Sequence, residues 1–402
     1  MSSSASPAPT PPADRIVSLD VLRGVAVLGI LMVNVWVFAM PEATLLNPTV
    51  YGDLSGANYW AWLIGHVFFQ EKFITLFSLL FGVGIVLFTD SDKRDEETSV
   101  RLHYRRTIWL ILIGLGHAYL LWYGDILVAY GVCALWVVAL RNHAPTTQFV
   151  LGVLLIAVPS ALELLAALAA SPDLIADQWR PAEATLRAEV DAYRGGWTAQ
   201  LEHRVPAARE RQTSGLIGAT VWRVGGTMLI GMAAFNGGVV SATRSTRFYR
   251  RLAVVGAVGG LVPILVGVAY IEANDWAASA ALFWRQFNYW GSLPLAGCYV
   301  GLVALWCRRR PDGVLTGAFA AVGRTAFTNY LLQTVVSTSI FYGHGLGLFG
   351  HVSRVELLGI VVAIWALQVP LSVGWLRYFR YGPVEWLWRT LTYGERQPLR
   401  GG

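Results

Sequence analysis

His117 and Asp125 lie eight residues apart in the segment GLGHAYLLWYGDIL, and they are the pair in this chain best suited to moving a proton. A carboxylate beside an imidazole orients the ring and stabilises its protonated form, the usual arrangement of a general base. If one helix ran through both, this spacing would leave them within about a quarter turn of one face. A histidine simply satisfied inside a helix bundle is the plainer alternative, and spacing alone favours it. In HVFFQEKFITLFSLLFGVG, Glu71 and Lys72 are adjacent. On a helix they point about 100° apart, so each needs its own partner. His66 stands a turn or so further toward the outside. Near the N-terminus, RIVSLDVLRGVAVLGILMVN places Asp20 and Arg23 at i and i+3, where they can pair, and Gly24 lets another backbone approach. A salt bridge that fixes the helix start explains that pair equally well. Asn34 lies ~16 Å further along the axis, where an isolated Asn is more often interhelical glue than a catalyst. Thr325, Asn329, Gln333 and Ser337 recur at four-residue spacing, with Arg324 at the inner end and His344 in a Gly-rich outer turn. Such a stripe faces protein or water rather than lipid, and it could line a path for a substrate.

The elements that must position these groups are membrane helices. Of 402 residues 55% are hydrophobic and 14% charged, about half the charged share of a soluble domain, so most of the surface is meant for lipid. Apolar runs near 16–40, 59–88, 107–123, 125–141, 148–170, 216–240, 252–272, 281–306, 314–342 and 355–379 predict an all-α bundle of about ten transmembrane helices. The third and fourth runs meet at Gly124–Asp125, as a tight hairpin or one interrupted element. A charge inside such a span costs about 2.5–3.5 kcal/mol, so each intramembrane charge needs a partner, a water-filled cavity or a function.

Lys and Arg set the orientation. Arg15, then Lys93, Arg94, Arg101, Arg105 and Arg106, then Arg141, then Arg244, Arg247, Arg250 and Arg251, then Arg308, Arg309 and Arg310 fall in alternate loops, whereas loops 41–58 and 273–280 contain none. Both termini are therefore expected in the cytoplasm. The predicted organisation is a disordered tail over 1–14, a transmembrane half over 15–170, an outer segment over 171–215, a second half over 216–380 and a tail over 381–402. The outer segment mixes charge with Leu/Val spacing, as a helix lying on the membrane surface or over a site. Cys133, Cys298 and Cys307 are far apart without CxxC spacing, so neither disulfide nor metal is expected. There is no P-loop and no HEXXH, and the net charge of +6 reads as topology rather than nucleic-acid binding. The stretches GAVGG and GLGLFG would serve tight internal packing or a homodimer.

At these residues the sequence resembles the YeiB family of bacterial membrane proteins. RIVSLDVLRGVAVLGILMVN, FFQEKFITLFSLLFGVG, GLGHAYLLWYGDIL, GRTAFTNYLLQTVVSTSIFYGHGLGLFG and GPVEWLWRTLTYG look like its hallmark segments and run over most of the chain. That family is similar, through its first helix, to transmembrane acyltransferases that include heparan-alpha-glucosaminide N-acetyltransferase. The resemblance implies that Asp20 and Arg23 belong to an LDxxRG signature and that Asn34 matches a polar helix residue associated with the active site. It also implies a bacterial cytoplasmic membrane and an acyl-CoA co-substrate, acetyl-CoA foremost. There is a departure: the catalytic His of the heparan enzyme has no counterpart in loop 41–58, so His66, His117 or a carboxylate must serve as base.

The expected function is transfer of an acyl group from cytosolic acyl-CoA to a hydroxyl or amine of an extracytoplasmic acceptor such as a sugar, glycan or small metabolite. In that reading His117 is the base oriented by Asp125, and Asn34 or Lys72 stabilises the oxyanion. Arg23, Arg105, Arg106 and the 244–251 cluster hold the phosphates, although the positive-inside rule explains most of these, leaving Arg23 and Arg324 as more than topology. Asn329, Gln333, Ser337 and His344 face substrate. The rival is a transporter of a small polar or lipid-linked molecule, with the stripe and the Glu71/Lys72 pair along its path. A scaffold is a third reading, less fitting because it has no need of intramembrane charge.

Overall fold

A computed structural model describes residues 16–90, 95–169 and 171–400, with the backbone alone at 172–174. The tail 1–14, Arg15, Lys93 and Arg94 lie outside the described residues. Apart from an isolated bridge between Phe379 and Arg400, every regular element described is helical. Seven runs among the described residues are long and apolar enough to cross a membrane. They are α1 (Val17–Ala39), Gly56–Thr89, which holds α2 (Gly56–Ile64) and α3 (Lys72–Thr89), and α6 (Pro145–Ala169), then Leu201–Asn236, α11 (Thr246–Ala273), α12 (Ala278–Arg309) and α15 (Arg354–Tyr378). This is a multi-pass membrane protein. The remaining apolar runs of the sequence are shorter or interrupted: the later part of α4 (Glu96–Leu120), then α5 (Leu127–Val137), and finally α13 (Val314–Arg324) and α14 (Ala326–Phe341).

The breaks in these helices fall where the chain carries polar chemistry. Between α2 and α3 a π-helical turn, Gly65–Phe69, runs into Glu71, whose φ of 72° lies in the left-handed region. A non-glycine residue pays for that conformation, so the surroundings must hold it. The chain leaves α4 at Leu120 and re-enters a helix at Leu127, so the expected break at Gly124–Asp125 is a six-residue turn, 121–126. The third break, at Thr325, separates α13 from α14.

Glycines let the central helices touch backbone to backbone. A Cβ on Gly24 would lie 2.0 Å from the Phe319 carbonyl oxygen, and one on Gly323 would lie 1.8 Å from that of Asp20. The crossing of α1 and α13 thus brings Asp20 and Arg23 to the same cavity as Arg324. Gly24→Leu is expected to force these helices apart and cost at least ~2 kcal/mol, read as a fall in the unfolding temperature by tryptophan fluorescence. In GAVGG, Gly256 and Gly260 press on Pro294 and Gly291 of α12, so this motif packs the chain on itself.

The 171–215 segment folds as three short helices, α7 (Pro172–Trp179), α8 (Glu183–Arg194) and α9 (Leu201–Gln212). They cap one end of the bundle. Trp197 Nε1 donates to the Leu120 carbonyl, Arg204 Nε to that of Tyr119, and Arg194 Nε to that of Phe349. After α9 a second π-helical turn, Leu216–Thr220, leads into α10 (Val221–Asn236). At the opposite, arginine-rich end, residues 381–400 are an integral part of the fold. Its helix α16 (Pro383–Tyr393) docks on α4 through Trp388 Nε1, which donates to the Arg106 carbonyl at 2.9 Å.

Burial pushes the Glu189 carboxyl in α8 up to about 7 from 4.5, against the opposing pull of the Glu42 backbone N–H that it accepts. Between those pH values the folded chain binds a proton that the unfolded chain has released, so stability falls as pH rises from 4.5 to 7. Glu189→Gln is expected to remove that loss, gaining on the order of 2 kcal/mol at and above neutral pH and little near pH 4.5. Melting curves of the two proteins across this range check it.

Candidate functional site

A cavity of about 610 Å³ enters the bundle between α1, α3, α4, α14 and α16. Five arginines line it at the arginine-rich end: Arg23 from α1, Arg106 from α4, Arg324 at the end of α13, and Arg380 and Arg389 on either side of the start of α16. Asp20 pairs with Arg23 at 3.2 Å. The Arg106 guanidinium lies over the rings of Trp388 and Phe88, at 4.2 and 4.8 Å, which holds a cation at the wall. Glu385 is already engaged: it accepts from the backbone N–H groups of Phe327 and Thr328 and from the Thr328 hydroxyl, so it caps the first turn of α14. Further in, Phe77, Leu80, Phe81, Ile85, Leu110 and Leu127 make the walls apolar, with Tyr130 and Tyr330 among the inner lining. An arginine-lined entrance on an apolar, narrow interior suits a molecule with a phosphate-bearing head and a long, mainly neutral arm.

His117 stands just behind this lining. Its ring centroid is 5.3 Å from that of Tyr330. His117 Nδ1 and Asp125 Oδ1 are 2.8 Å apart, both side chains being 1% exposed. Nε2 lies 3.0 Å from the Thr334 hydroxyl. The carboxylate assigns the N–H to Nδ1, so the neutral ring offers its lone pair at Nε2, where the Thr334 hydroxyl donates. Asp125 Oδ2 accepts from the Val128 backbone N–H in the first turn of α5, at 2.9 Å, which fixes the carboxylate itself. The pair expected from spacing is therefore present for another reason: the helix does not continue, and the 121–126 turn folds Asp125 back on the last turn of α4. The Tyr330 hydroxyl is buried with at most the Ile126 backbone N–H as a donor to it, which leaves its own proton uncommitted.

The other expected site residues divide. Asp20, Arg23, Arg106 and Arg324 are gathered in the one cavity, whereas Arg105 is exposed beside Gly394 and does not line it. Lys72 is buried elsewhere, donating to the His66 carbonyl at 2.7 Å and to Asn288 Oδ1. Glu71 pairs with Arg223 at 2.9 Å, and His66 Nδ1 contacts Gln70 Oε1 at 2.7 Å. These three residues form a second polar cluster at the α2–α3 break. As an oxyanion group beside His117, Lys72 is thus misassigned, because its amino group is committed to that cluster. Asn34, half-buried on α1, does not line the cavity either.

The four-residue stripe is bonded in packing at Thr325, Asn329 and the Gln333 amide N–H, while Gln333 Oε1 and Ser337 Oγ are buried without partners. Asn329 Nδ2 donates to Thr325 Oγ1 and to Ser372 Oγ, both at 2.9 Å. Gln333 Nε2 donates to the Val27 carbonyl and to Gln368 Oε1, both at 3.1 Å. Asn329, Gln333 and Ser337 thus sit against α1 and α15 or in the interior, apart from the cavity, and the expected path along them is a polar zipper between helices. His344 is exposed at the capped end, 3.3 Å from Gln200 Nε2. Tyr330 meets both the cavity and His117, and Thr334 meets His117; each is one position beyond a stripe residue, and the signal for them was the same helix read one face over. Arg389 was legible too, four residues after Glu385 and on its face of the helix in GPVEWLWRTLTYG.

A family model described as a protein of unknown function, DUF418, matches residues 234–395. Over 392 aligned residues, 96% of this chain and 98% of its relative, the sequence is 38% identical to the uncharacterized protein YeiB of Escherichia coli. The chain belongs to the YeiB family. It is also 32% identical over 410 aligned residues to the uncharacterized protein YxaH of Bacillus subtilis, covering 97% of each. In this YeiB-family fold the DUF418 match contains Arg324, Tyr330, Thr334 and α16, while Asp20, Arg23, Arg106, His117 and Asp125 precede it. The site is built from both parts.

Proposed function

We propose that the protein is a membrane acyltransferase that carries an acyl group, acetyl foremost, from acyl-CoA to an acceptor hydroxyl or amine across a bacterial cytoplasmic membrane, with the arginine-rich end in the cytoplasm. The observation that supports it best is the His117–Asp125 pair standing behind the inner lining of a cavity whose entrance carries five arginines. The arginines would hold the phosphates of the donor, and the apolar interior its arm, with the thioester near Tyr330. His117 Nε2, directly or through the Thr334 hydroxyl, takes the acceptor's proton as its oxygen or nitrogen attacks the thioester carbon. The new bond forms as the carbonyl becomes an oxyanion, and the Tyr330 hydroxyl donates to it. Collapse breaks the C–S bond, and the departing thiolate takes the proton from the His117 imidazolium. No metal is needed for this sequence.

The transporter reading draws less support from the stripe, because Asn329 and the Gln333 amide N–H are bonded to α15. The test is release of free CoA thiol from acetyl-CoA by the purified protein, with water or an added alcohol as acceptor. Turnover that depends on His117 supports the reading, and acetyl-CoA left intact alongside every acceptor tried contradicts it.

A further inference from the structure

Beside the arginine-lined cavity lies a smaller one of about 70 Å³, between the end of α3, the middle of α4 and α16. Phe88, Arg106, Glu385, Trp388, Arg389 and Tyr393 line both, and Thr392 lines only the smaller one. On α16 this lining recurs at 385, 388, 389, 392 and 393, which is one face of the helix. The bond from Trp388 Nε1 to the Arg106 carbonyl holds that face on α4. The carboxylate on these walls is engaged with α14. Glu385 stands four residues before Arg389, yet its Oε1 accepts from the Phe327 and Thr328 backbone N–H groups at 2.7 and 3.1 Å, and its Oε2 from the Thr328 hydroxyl at 2.5 Å. Arg389 lies over the Tyr381 ring instead, 4.7 Å from its centroid, as Arg106 lies over Trp388 and Phe88. An aromatic face fixes a guanidinium in place and leaves its charge intact.

Two guanidinium groups on so small an enclosure suit an anion, and the volume limits its size. A water takes about 30 Å³ of the liquid and benzene a cavity of about 150 Å³. A space of about 70 Å³ therefore admits a single phosphate group and excludes a purine ring. A phosphate monoester offers three acceptor oxygens and a charge of about −1.5 to −2 at neutral pH, whereas a diester has fewer free oxygens and less charge. We propose that this side pocket is a subsite for a terminal phosphate monoester, and that the donor is recognised there at the 3′-phosphate of CoA. The main cavity takes the diphosphate and the arm past Arg23 and Arg324, while Arg106 and Arg389 at the shared wall meet the monoester. An acyl group on dephospho-CoA, or on the phosphopantetheine of a carrier protein, lacks the group that fills the pocket and is held weakly. The side pocket thereby selects a free thioester over a protein-bound one.

Naming the donor rests on the acyl-transfer reading, and the experiment separates the two. Acetyl-CoA, acetyl-3′-dephospho-CoA, adenosine 3′,5′-bisphosphate and adenosine are titrated by calorimetry into the purified full-length protein and into its Arg389→Ala and Arg23→Ala variants. The parent is expected to bind acetyl-CoA at least ~10-fold more tightly than its dephospho form, and the bisphosphate more tightly than adenosine. Arg389→Ala is expected to remove most of that preference, weakening acetyl-CoA while leaving the dephospho form within about twofold, whereas Arg23→Ala weakens both thioesters alike. Equal binding of the two thioesters by the parent, or a preference that Arg389→Ala leaves intact, overturns the side pocket while the acyl-CoA reading stands. Bisphosphate binding that Arg389→Ala weakens, without binding of either thioester, keeps the pocket and overturns the acyl-CoA reading. Binding of none of these molecules overturns both.

Discussion

His117→Ala is expected to lower acyl transfer by ~10²–10⁴-fold while leaving acetyl-CoA affinity within about twofold, because the ring sits behind the cavity lining and acts on the proton rather than on the donor's phosphates. Asp125→Asn is expected to lose most of the same rate, since an amide facing Nδ1 no longer stabilises the imidazolium or selects its tautomer. It keeps an oxygen for the Val128 N–H, so the start of α5 survives. Measuring thiol release and donor binding on the same preparations separates these effects. A fall in affinity equal to the fall in rate would place His117 in donor binding instead.

Tyr330→Phe is the second large effect. A donor aimed at a developing oxyanion is worth ~10²–10³-fold in turnover. The hydroxyl has at most the Ile126 backbone N–H as a partner, so its removal is expected to change the melting temperature little. Turnover is read by thiol release and stability by thermal unfolding. A variant that melts early but turns over normally would make Tyr330 a packing residue.

The helical, membrane-embedded character and the pairing of His117 with Asp125 were legible because composition and apolar run length report on solvent, and because a buried charge must find a partner. The reason for the pair was not legible. Eight-residue spacing suggested one helix face, whereas a non-helical turn closes the contact, and turn geometry depends on tertiary packing against Tyr330 and Thr334. Periodicity identified the Thr325–Asn329–Gln333–Ser337 face as buried and polar, but a polar face can meet water or another helix. Only the positions of Gln368 and Ser372 on α15 decide for the helix. Lys72 was expected to need a partner of its own, and only the fold shows that this is Asn288, beside the left-handed turn at Glu71. The segment 381–402 was expected as a tail, yet Glu385 caps α14 and Arg389 helps to line the cavity, roles that only contacts across the whole chain reveal.

The central claim is that the arginine-lined cavity holds an acyl-CoA. Acetyl-CoA titrated into the detergent-purified protein by calorimetry tests it most directly, with Arg23→Ala and Arg389→Ala beside the parent. Saturable binding on the order of micromolar, weakened at least tenfold by either substitution and unaffected by His117→Ala, is the result this account predicts. Heat indistinguishable from dilution, or binding that both arginine variants retain in full, would contradict it.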